Sequence, residues 1–267
     1  MIRDITIGQY YPVDSPIHRL DPRVKLAGTM VFLISLFAAS GIVAYAIATV
    51  VLFALIRLSR VPFKFITKGL KTILILLIIS VSFNLFLTDG TPIVTFGFLK
   101  ITWEGLSLAF FMAVRLVYLV IASSLMTLTT TPNQLTDGLE KGLGFLKRFS
   151  IPVHEISMMM SIALRFIPIL IEETDKIMKA QTARGADFES GNIIERAKAM
   201  VPILVPLFIS AFRRASDLAM AMEARCYHGG EGRTKMKPLH YEKRDKLAYW
   251  LMLIYFLLML ATRFLPF

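Results

Sequence analysis

A run of uncharged residues from Leu26 to Ile56 most constrains how this chain folds. The run is 31 residues long and is closed by Arg57. Because about 20 apolar residues cross a hydrocarbon core of ~30 Å, it predicts insertion in a membrane. Hydrophobic residues make up 55% of the 267, and the mean hydropathy of +0.63 is high for a soluble domain. We therefore expect an integral membrane protein.

Two interpretations of this run compete: one long tilted helix, or two short helices joined near Ser40-Gly41. The flanking charges favour the second. Basic residues lie on both sides of the run: Arg19, Arg23 and Lys25 before it, and Arg57, Arg60, Lys64, Lys68 and Lys71 after it. Basic flanks indicate the cytosol, so both ends of the run are expected inside, which requires two crossings. Each helix would have about 15 residues and a length of ~22 Å.

Three further segments complete the predicted membrane domain. Thr72–Thr88 is expected to run outward and Leu106–Leu128 inward, with a small external β-hairpin possible at Ile93–Trp103. Leu247–Leu260 is expected to be the last outward span. The predicted fold is an all-α polytopic membrane protein with about five transmembrane helices, its N-terminus inside and its C-terminus outside.

The charged residues are concentrated in one block. Residues 137–245 hold 14 of the 19 acidic and 17 of the 30 basic residues, a mixture typical of a water-facing surface rather than a nucleic-acid tail. We expect a cytosolic or interfacial coupling domain at 132–240, between an N-terminal membrane domain of four spans (1–131) and a C-terminal span (241–267).

Long helices are predicted within the coupling domain. Pro132–Phe149 has an amphipathic pattern. A helix that opens at Pro152 is followed, after a kink at Pro168, by Ile169–Arg184, which Gly185 ends. Asn192–His228 is predicted to form a second such unit, stopped by Gly229-Gly230.

Two matching helix ends lie 41 residues apart in this block. Ala180–Gly185 and Ala221–Cys226 both fit the pattern Ala-x-x-Ala-Arg. A single arginine at such a place is explained by the helix dipole, worth ~0.3–1 kcal/mol. The repetition of Arg184 and Arg225 with the same flanking alanines instead favours a surface that engages two similar partners.

Other features of these helices allow two interpretations each. Ala211, Ala215 and Ala219 are spaced for close helix crossing, or reflect helix propensity alone. The methionines of this region either fill the core or form an adaptable partner surface. Arg115 and Arg165, within apolar segments, either extend to an interface or mark an ion pathway.

The sequence shows no chemistry of its own. It has no G-x-x-x-x-G-K-[ST] phosphate loop, and its four histidines lack ligand spacing. Cys226, the single cysteine, excludes an internal disulfide. We expect no catalytic residue, cofactor or metal in this chain.

Three motifs resemble those of the transmembrane T-component of energy-coupling factor (ECF) transporters. They are the opening motif Asp14–Leu26, which includes Asp21 and Arg23, the motif Arg165-Phe166-Ile167-Pro168, and the paired Ala183-Arg184-Gly185 and Ala224-Arg225-Cys226. In the second of the paired motifs, Cys226 stands where glycine or serine is commoner.

The resemblance implies a non-catalytic subunit of an importer in a bacterial or archaeal cytoplasmic membrane. Two ATP-binding-cassette ATPases, which bind the ATP, would each engage one of the paired motifs. A substrate-binding S-component for vitamins or other micronutrients would pack on the methionine- and alanine-rich helices. We expect its contacts at Met158, Met159, Met160, Ala215, Ala219 and Met222, and structural roles for Arg165, Pro168, Asp21 and Arg23. Membrane lipid is an expected partner, and nucleic acid is not. The alternative is a stand-alone secondary transporter or channel that uses Arg115 and Arg165.

Overall fold

The structure, a computed structural model, describes residues 10–39, 41–96, 99–188, 192–229, 236 and 238–263. Residues 1–9 and 264–267, at the two ends of the sequence, lie outside this range. The helices of the described residues are α1 (Pro22–Ala38), α2 (Gly41–Ser59), α3 (Phe63–Leu87), α4 (Trp103–Thr129), α5 (Pro132–Gly142), α6 (Val153–Ala183), α7 (Ile193–Ala224) and α8 (Lys243–Thr262). A 3-10 helix (Leu143–Phe149) follows α5. Strands β1 (Pro92–Phe96) and β2 (Leu99–Thr102) form an antiparallel hairpin before α4.

Among the described residues, five helices are long and apolar enough to cross a membrane: α2, α4, α6, α7 and α8. A sixth candidate is α3, whose halves Phe63–Lys71 and Ile73–Leu87 are bent by 59°. The predicted all-α polytopic fold is therefore confirmed, and its count of about five agrees. The membership differs, because α1 has only 17 residues, whereas α6 and α7 contain long apolar stretches that the charge of the whole 137–245 block obscured.

The long uncharged run forms two helices, as the flanking charges predicted. α1 ends at Ala38 and α2 begins at Gly41, whose φ of +80° is readily adopted by glycine. Arg60, just after α2, donates to the main-chain oxygen of Asp14 at 3.4 Å, and Asp14 also pairs with Arg19 before α1. The start of α1 and the end of α2 thus lie at the same end of this region.

The chain divides into two compact units, of which the larger comprises residues 8–138 and 239–267. Its core is built from α1, α2, α4 and α8, with Ile66 of α3. Leu36 of α1 is fully buried, Phe32 stacks on Tyr255 of α8 at 5.8 Å between ring centroids, and Ser35 hydrogen-bonds the Tyr255 hydroxyl at 2.7 Å. α3 packs along α4. These contacts hold the short α1 in place through apolar burial and one satisfied polar pair.

The other unit spans residues 139–238, together with residues 1–7, which lie outside the described range. Its α6 and α7 run antiparallel. Gln181, near the end of α6, donates to the carbonyl of Pro202 near the start of α7 at 3.5 Å, and Glu173 bonds Arg214 further along. The opposite part of the pair, with Ile162 on α6 and Met222 on α7, lines a small cleft of about 260 Å³.

Three predicted helix boundaries in the coupling domain are wrong. The amphipathic helix from Pro132 ends as an α-helix at Gly142 and continues to Phe149 only as a 3-10 helix, since Gly142 and Gly144 weaken the α-helix. α6 runs through Pro168 without ending: the proline removes one backbone hydrogen bond, and the helix continues on both sides of it. α7 ends at Ala224, before Gly229; Gly230 lies outside the described residues.

Candidate functional site

The two Ala-Arg motifs end their helices with the same hydrogen bonds. After α6, Ala186 N–H bonds the carbonyl of Gln181 at 3.0 Å, and Gly185 N–H bonds that of Thr182 at 2.9 Å. After α7, Tyr227 N–H bonds the carbonyl of Met222 at 3.0 Å, and Cys226 N–H bonds that of Glu223 at 2.9 Å. This pair of bonds is the Schellman arrangement, which satisfies the last helical carbonyls.

A left-handed residue follows each arginine. Gly185 has φ +90° and Cys226 has φ +57°. Glycine adopts this conformation freely, but a residue with a Cβ does so at a cost of about 1 kcal/mol. The backbone geometry of the motif is therefore duplicated even where its last residue is not glycine.

Both arginines are exposed. Arg184 and Arg225 stand at the junction between a helix and its capping turn, with the neighbouring Ala183 and Ala224 also exposed. Because α6 and α7 are antiparallel, the two arginines lie at opposite ends of the pair. The structure thus presents two similar basic points rather than one cluster. Their role in binding stays a prediction.

Exchanging the last residue of each motif is expected to shift stability in opposite directions. Cys226→Gly removes the left-handed strain and should stabilise the fold by about 1 kcal/mol, offset in part by the freedom of glycine in the unfolded chain. The reciprocal Gly185→Cys should destabilise it, because the new Cβ has no atom within 4 Å and adds only backbone strain. Thermal unfolding in detergent measures both. A lower Tm for Cys226→Gly would contradict the strain argument.

An ion pair that the sequence analysis missed joins the two helices. The carboxylate of Glu173 on α6 accepts from Arg214 on α7 at 3.0 and 3.2 Å, and from the hydroxyl of Ser210. Because the partners are 37 and 41 residues apart in sequence, no local pattern shows them. This contact fixes the register of α6 against α7.

The predicted S-component contacts fall into two groups. Met159 and Met160 are exposed on α6, and Met158 is half-buried. Ala215, Ala219 and Met222 line the small cleft between α6 and α7, facing Phe166. Ala215 and Ala219 are exposed where they line this cleft, so both the crossing interpretation and the partner contact stay predictions.

A larger apolar stripe on α7 went unnoticed in the sequence. Its members are exposed and recur at helical spacing: Val201, Leu204, Val205, Phe208, Ile209 and Phe212. Phe212 is 70% exposed. Single exposed apolar residues are ordinary, but a continuous stripe of them indicates a surface covered by lipid or by a partner. Its 3.6-residue period is visible in the sequence and is the signal that could have located it.

The opening motif Asp14–Leu26 forms a polar junction in the larger unit. Asp21 caps α1 by accepting from Arg23 N–H at 2.8 Å, and its carboxylate also accepts from the Arg23 guanidinium at 2.9 and 3.0 Å. The Arg23 guanidinium lies 3.9 Å from the ring centroid of Tyr241. Asp245, which the sequence analysis missed, accepts from the Asp21 N–H at 2.9 Å. The motif therefore fastens the start of α1 to the start of α8.

Three further side chains order this segment. Burial lowers the pKa of His18, which favours its neutral form; its Nε2 then donates to Tyr11 O at 3.0 Å, and its Nδ1 accepts from Ser15 at 2.7 Å. Hydrogen bonding to Arg19 lowers the pKa of Asp14, which keeps that carboxylate charged. The buried Lys25 donates to the carbonyls of His18 and Thr129 at 3.0 and 2.8 Å.

Arg165, Pro168 and Arg115, the remaining residues that the sequence analysis singled out, lie on two different helices. Arg165 and Pro168 are exposed on α6, Pro168 within the continuous helix. Arg115 of α4 donates to the hydroxyl of Tyr45 on α2 at 3.0 Å, so its side chain packs within the helices of the larger unit.

Comparison with known proteins assigns the family. The family model CbiQ, described as a cobalt transport protein, matches residues 14–236. The energy-coupling factor transporter transmembrane protein EcfT of Clostridium kluyveri is 56% identical over 250 residues, 93% of each chain. That of Ruminiclostridium cellulolyticum is 54% identical over 248 residues, 93% of each chain, and that of Bacillus subtilis is 49% identical over 246 residues, 92% of this chain and 93% of its own. This chain therefore belongs to the EcfT family, the transmembrane energy-coupling components of energy-coupling factor transporters.

Proposed function

We propose that the chain transmits ATP-driven motion from two cytosolic ATP-binding-cassette ATPases to a substrate-binding S-component that imports vitamins or other micronutrients. The duplicated end of α6 and α7 carries this proposal: two exposed arginines, each held at the same place in the same capping turn. The ATPases bind and hydrolyse ATP, and this chain is a non-catalytic subunit. Its N-terminus lies inside and its C-terminus outside the cytoplasmic membrane of a bacterium or archaeon.

The proposal gives each of the three predicted domains a role. Residues 1–131 form the N-terminal membrane domain, with α1 to α4 as its four spans, and 241–267 contribute the last span. Residues 132–240 couple to the ATPases, and their apolar helices α6 and α7 would lie along the cytosolic membrane surface rather than across the membrane. Each exposed guanidinium would pair with a carboxylate on one ATPase, an arrangement for which arginine offers a planar fork of donors.

The native thiol beside Arg225 tests the contact directly. Cys226 is the only cysteine and is exposed. A membrane-impermeant maleimide should label it from the cytosolic side, and co-expression with the two ATPases should protect it. In a chain with Cys226→Gly and Gly185→Cys, the thiol moves to the other motif and should be protected likewise. Equal labelling of both thiols with and without the ATPases would contradict the proposed contacts.

A cysteine on the other side of the membrane is the control. Ile42, at the start of α2, is 77% exposed and avoids the positive φ of Gly41. Ile42→Cys in the Cys226→Gly background should be labelled from outside, whether or not the ATPases are present. Labelling of this position from the cytosolic side only would overturn the proposed orientation.

The exposed methionines of α6 supply a separate test of the S-component contact. Met159 is 57% exposed, so Met159→Asp should leave the chain folded. At a contact with a partner it would bury an unpaired charge, at a cost of several kcal/mol. We expect pull-downs to lose the S-component and keep the ATPases. Retention of both partners would remove Met159 from the contact. Ser161→Asp, at an exposed position on another face of the same helix, controls for an added carboxylate.

A further inference from the structure

A long cleft opens in the larger unit between α1, α2, α4 and α8. Its volume is about 880 Å³. The walls are almost wholly apolar, with Val31 and Phe32 on α1, Val51 and Leu55 on α2, and Leu251 and Leu258 on α8. Among its lining residues, the charged ones are confined to Asp14, Arg19, Lys25, Arg60 and Arg244. The cleft is therefore amphipathic along its length.

The charged lining residues gather at one end. Arg60 at the end of α2 reaches the Asp14 main chain, Lys25 at the start of α1 reaches the end of α4, and Arg244 belongs to the first turn of α8. Four of these five residues are basic and one, Asp14, is acidic. The mouth of the cleft thus has an excess of positive charge.

Arg244 has donor capacity left over at this mouth. Its Nη2 donates to Glu242 at 2.9 Å, but its buried Nε has no hydrogen-bond partner within the part of the chain that the structure describes. Arg60 donates to a main-chain oxygen rather than to a carboxylate. The Arg244 side chain is nevertheless 38% exposed, so an anionic group can reach its guanidinium and form charge-assisted hydrogen bonds with it.

The length of the cleft suits a lipid chain. From Leu58 to Ile47, the lining residues of α2 extend over ~17 Å, and from Arg244 to Leu258 those of α8 extend over ~21 Å at 1.5 Å per residue. The hydrocarbon of one leaflet is about 15 Å thick, half of a core of ~30 Å. A basic mouth at the interface and an apolar channel of leaflet depth match a headgroup and an acyl chain.

We propose that this cleft binds one anionic phospholipid, whose phosphate lies against Arg60 and Arg244 and whose acyl chain fills the space between α2 and α8. The basic mouth lies at the same end as the other basic flanks of α1 and α2, which the positive-inside rule assigns to the cytosolic leaflet. The bound lipid completes the packing between these helices. This inference does not depend on the proposed coupling function.

Native mass spectrometry of the delipidated full chain, titrated with phosphatidylglycerol, tests the site. We expect one tightly bound lipid, weaker binding of phosphatidylcholine, and no displacement by inorganic phosphate. The double variant Arg60→Gln, Arg244→Gln should bind phosphatidylglycerol roughly 30-fold more weakly, a factor of about five for each lost charge. The double variant Arg57→Gln, Lys243→Gln loses the same charge from the same helix ends outside the cleft, and should bind normally.

Filling the channel tests the acyl-chain half of the site. Ala54 lines the cleft, so Ala54→Phe should displace the lipid, whereas Val50→Phe on the same helix, outside the cleft, should not. Equal lipid binding by all variants would show an unspecific annular shell and overturn the proposal. Displacement by inorganic phosphate would show that the site binds only an anion, and would also overturn the proposal of a lipid. A cleft that stays lipid-free in native membranes and crosslinks to a partner helix would also overturn it.

Discussion

Replacing both Arg184 and Arg225 by alanine is expected to abolish ATP-driven uptake while leaving the chain folded and inserted. Both side chains are exposed, so their removal leaves no buried hole in this chain. If each guanidinium meets an ATPase carboxylate, the loss strands a buried charge on the partner at ~2–5 kcal/mol per site. Each single variant should weaken the complex, and the double variant should release the ATPases. Uptake by reconstituted vesicles and ATPase retention in a pull-down measure the two effects.

The control for this double variant is another exposed arginine of α7. Arg213 lies mid-helix, away from either capping turn. Arg213→Ala removes the same charge and should keep both uptake and ATPase binding. Substitution of lysine at Arg184 and Arg225 should restore only part of the coupling, because an ammonium lacks the planar fork of donors. Wild-type uptake by the alanine double variant would refute the role given to these motifs.

Asp245→Ala is expected to reduce the amount of folded protein in the membrane, whatever partners are present. Asp245 is 2% exposed, and its carboxylate accepts from the N–H groups of Asp21 at 2.9 Å and Glu242 at 2.8 Å. Alanine leaves the buried Asp21 N–H without its partner and removes a negative charge close to Lys25. Loss of one member of such a buried network costs about 3–5 kcal/mol. Membrane yield and Tm in detergent measure the loss.

Two variants with smaller expected losses of stability serve as controls for Asp245→Ala. Asp245→Asn keeps an acceptor oxygen for one of the two N–H groups and should lose less stability than alanine. Glu242→Gln changes a neighbouring carboxylate whose side chain is 61% exposed, and should be nearly neutral. If Asp245→Ala melted at the same temperature as Glu242→Gln, the junction between α1 and α8 would not be the fastening that its hydrogen bonds suggest.

Local patterns predicted the parts of this fold that depend on neighbouring residues. Uncharged runs located α2, α4 and α8, and the basic flanks of residues 26–56 predicted the break between α1 and α2. The repeat Ala-x-x-Ala-Arg located both helix ends, because a capping turn leaves a short signature of its own. The predicted helical segment Asn192–His228 nevertheless extended past the end of α7 at Ala224, since Cys226 is an unusual residue for a left-handed position.

The contacts that join distant segments were not predictable in the same way. In the sequence, Asp245 is an ordinary acidic residue in the first turn of a helix. No neighbouring residue indicates that Asp21 is its partner. Glu173 and Arg214 likewise lie in charged segments of separate helices, and such segments are typical of an exposed surface. Such pairs depend on how the helices pack against each other, and a single sequence carries no pattern that shows this packing.

The ion pair between α6 and α7 has a consequence for symmetry. Arg214 follows Glu173 by 41 residues, the same interval that separates Arg225 from Arg184. Equivalent positions of the two helices therefore touch each other, which is the mark of a local two-fold axis through an antiparallel pair. Under the proposed function, one copy of this chain can meet a two-fold symmetric pair of ATPases with matching halves, and no second copy is needed to complete the contact.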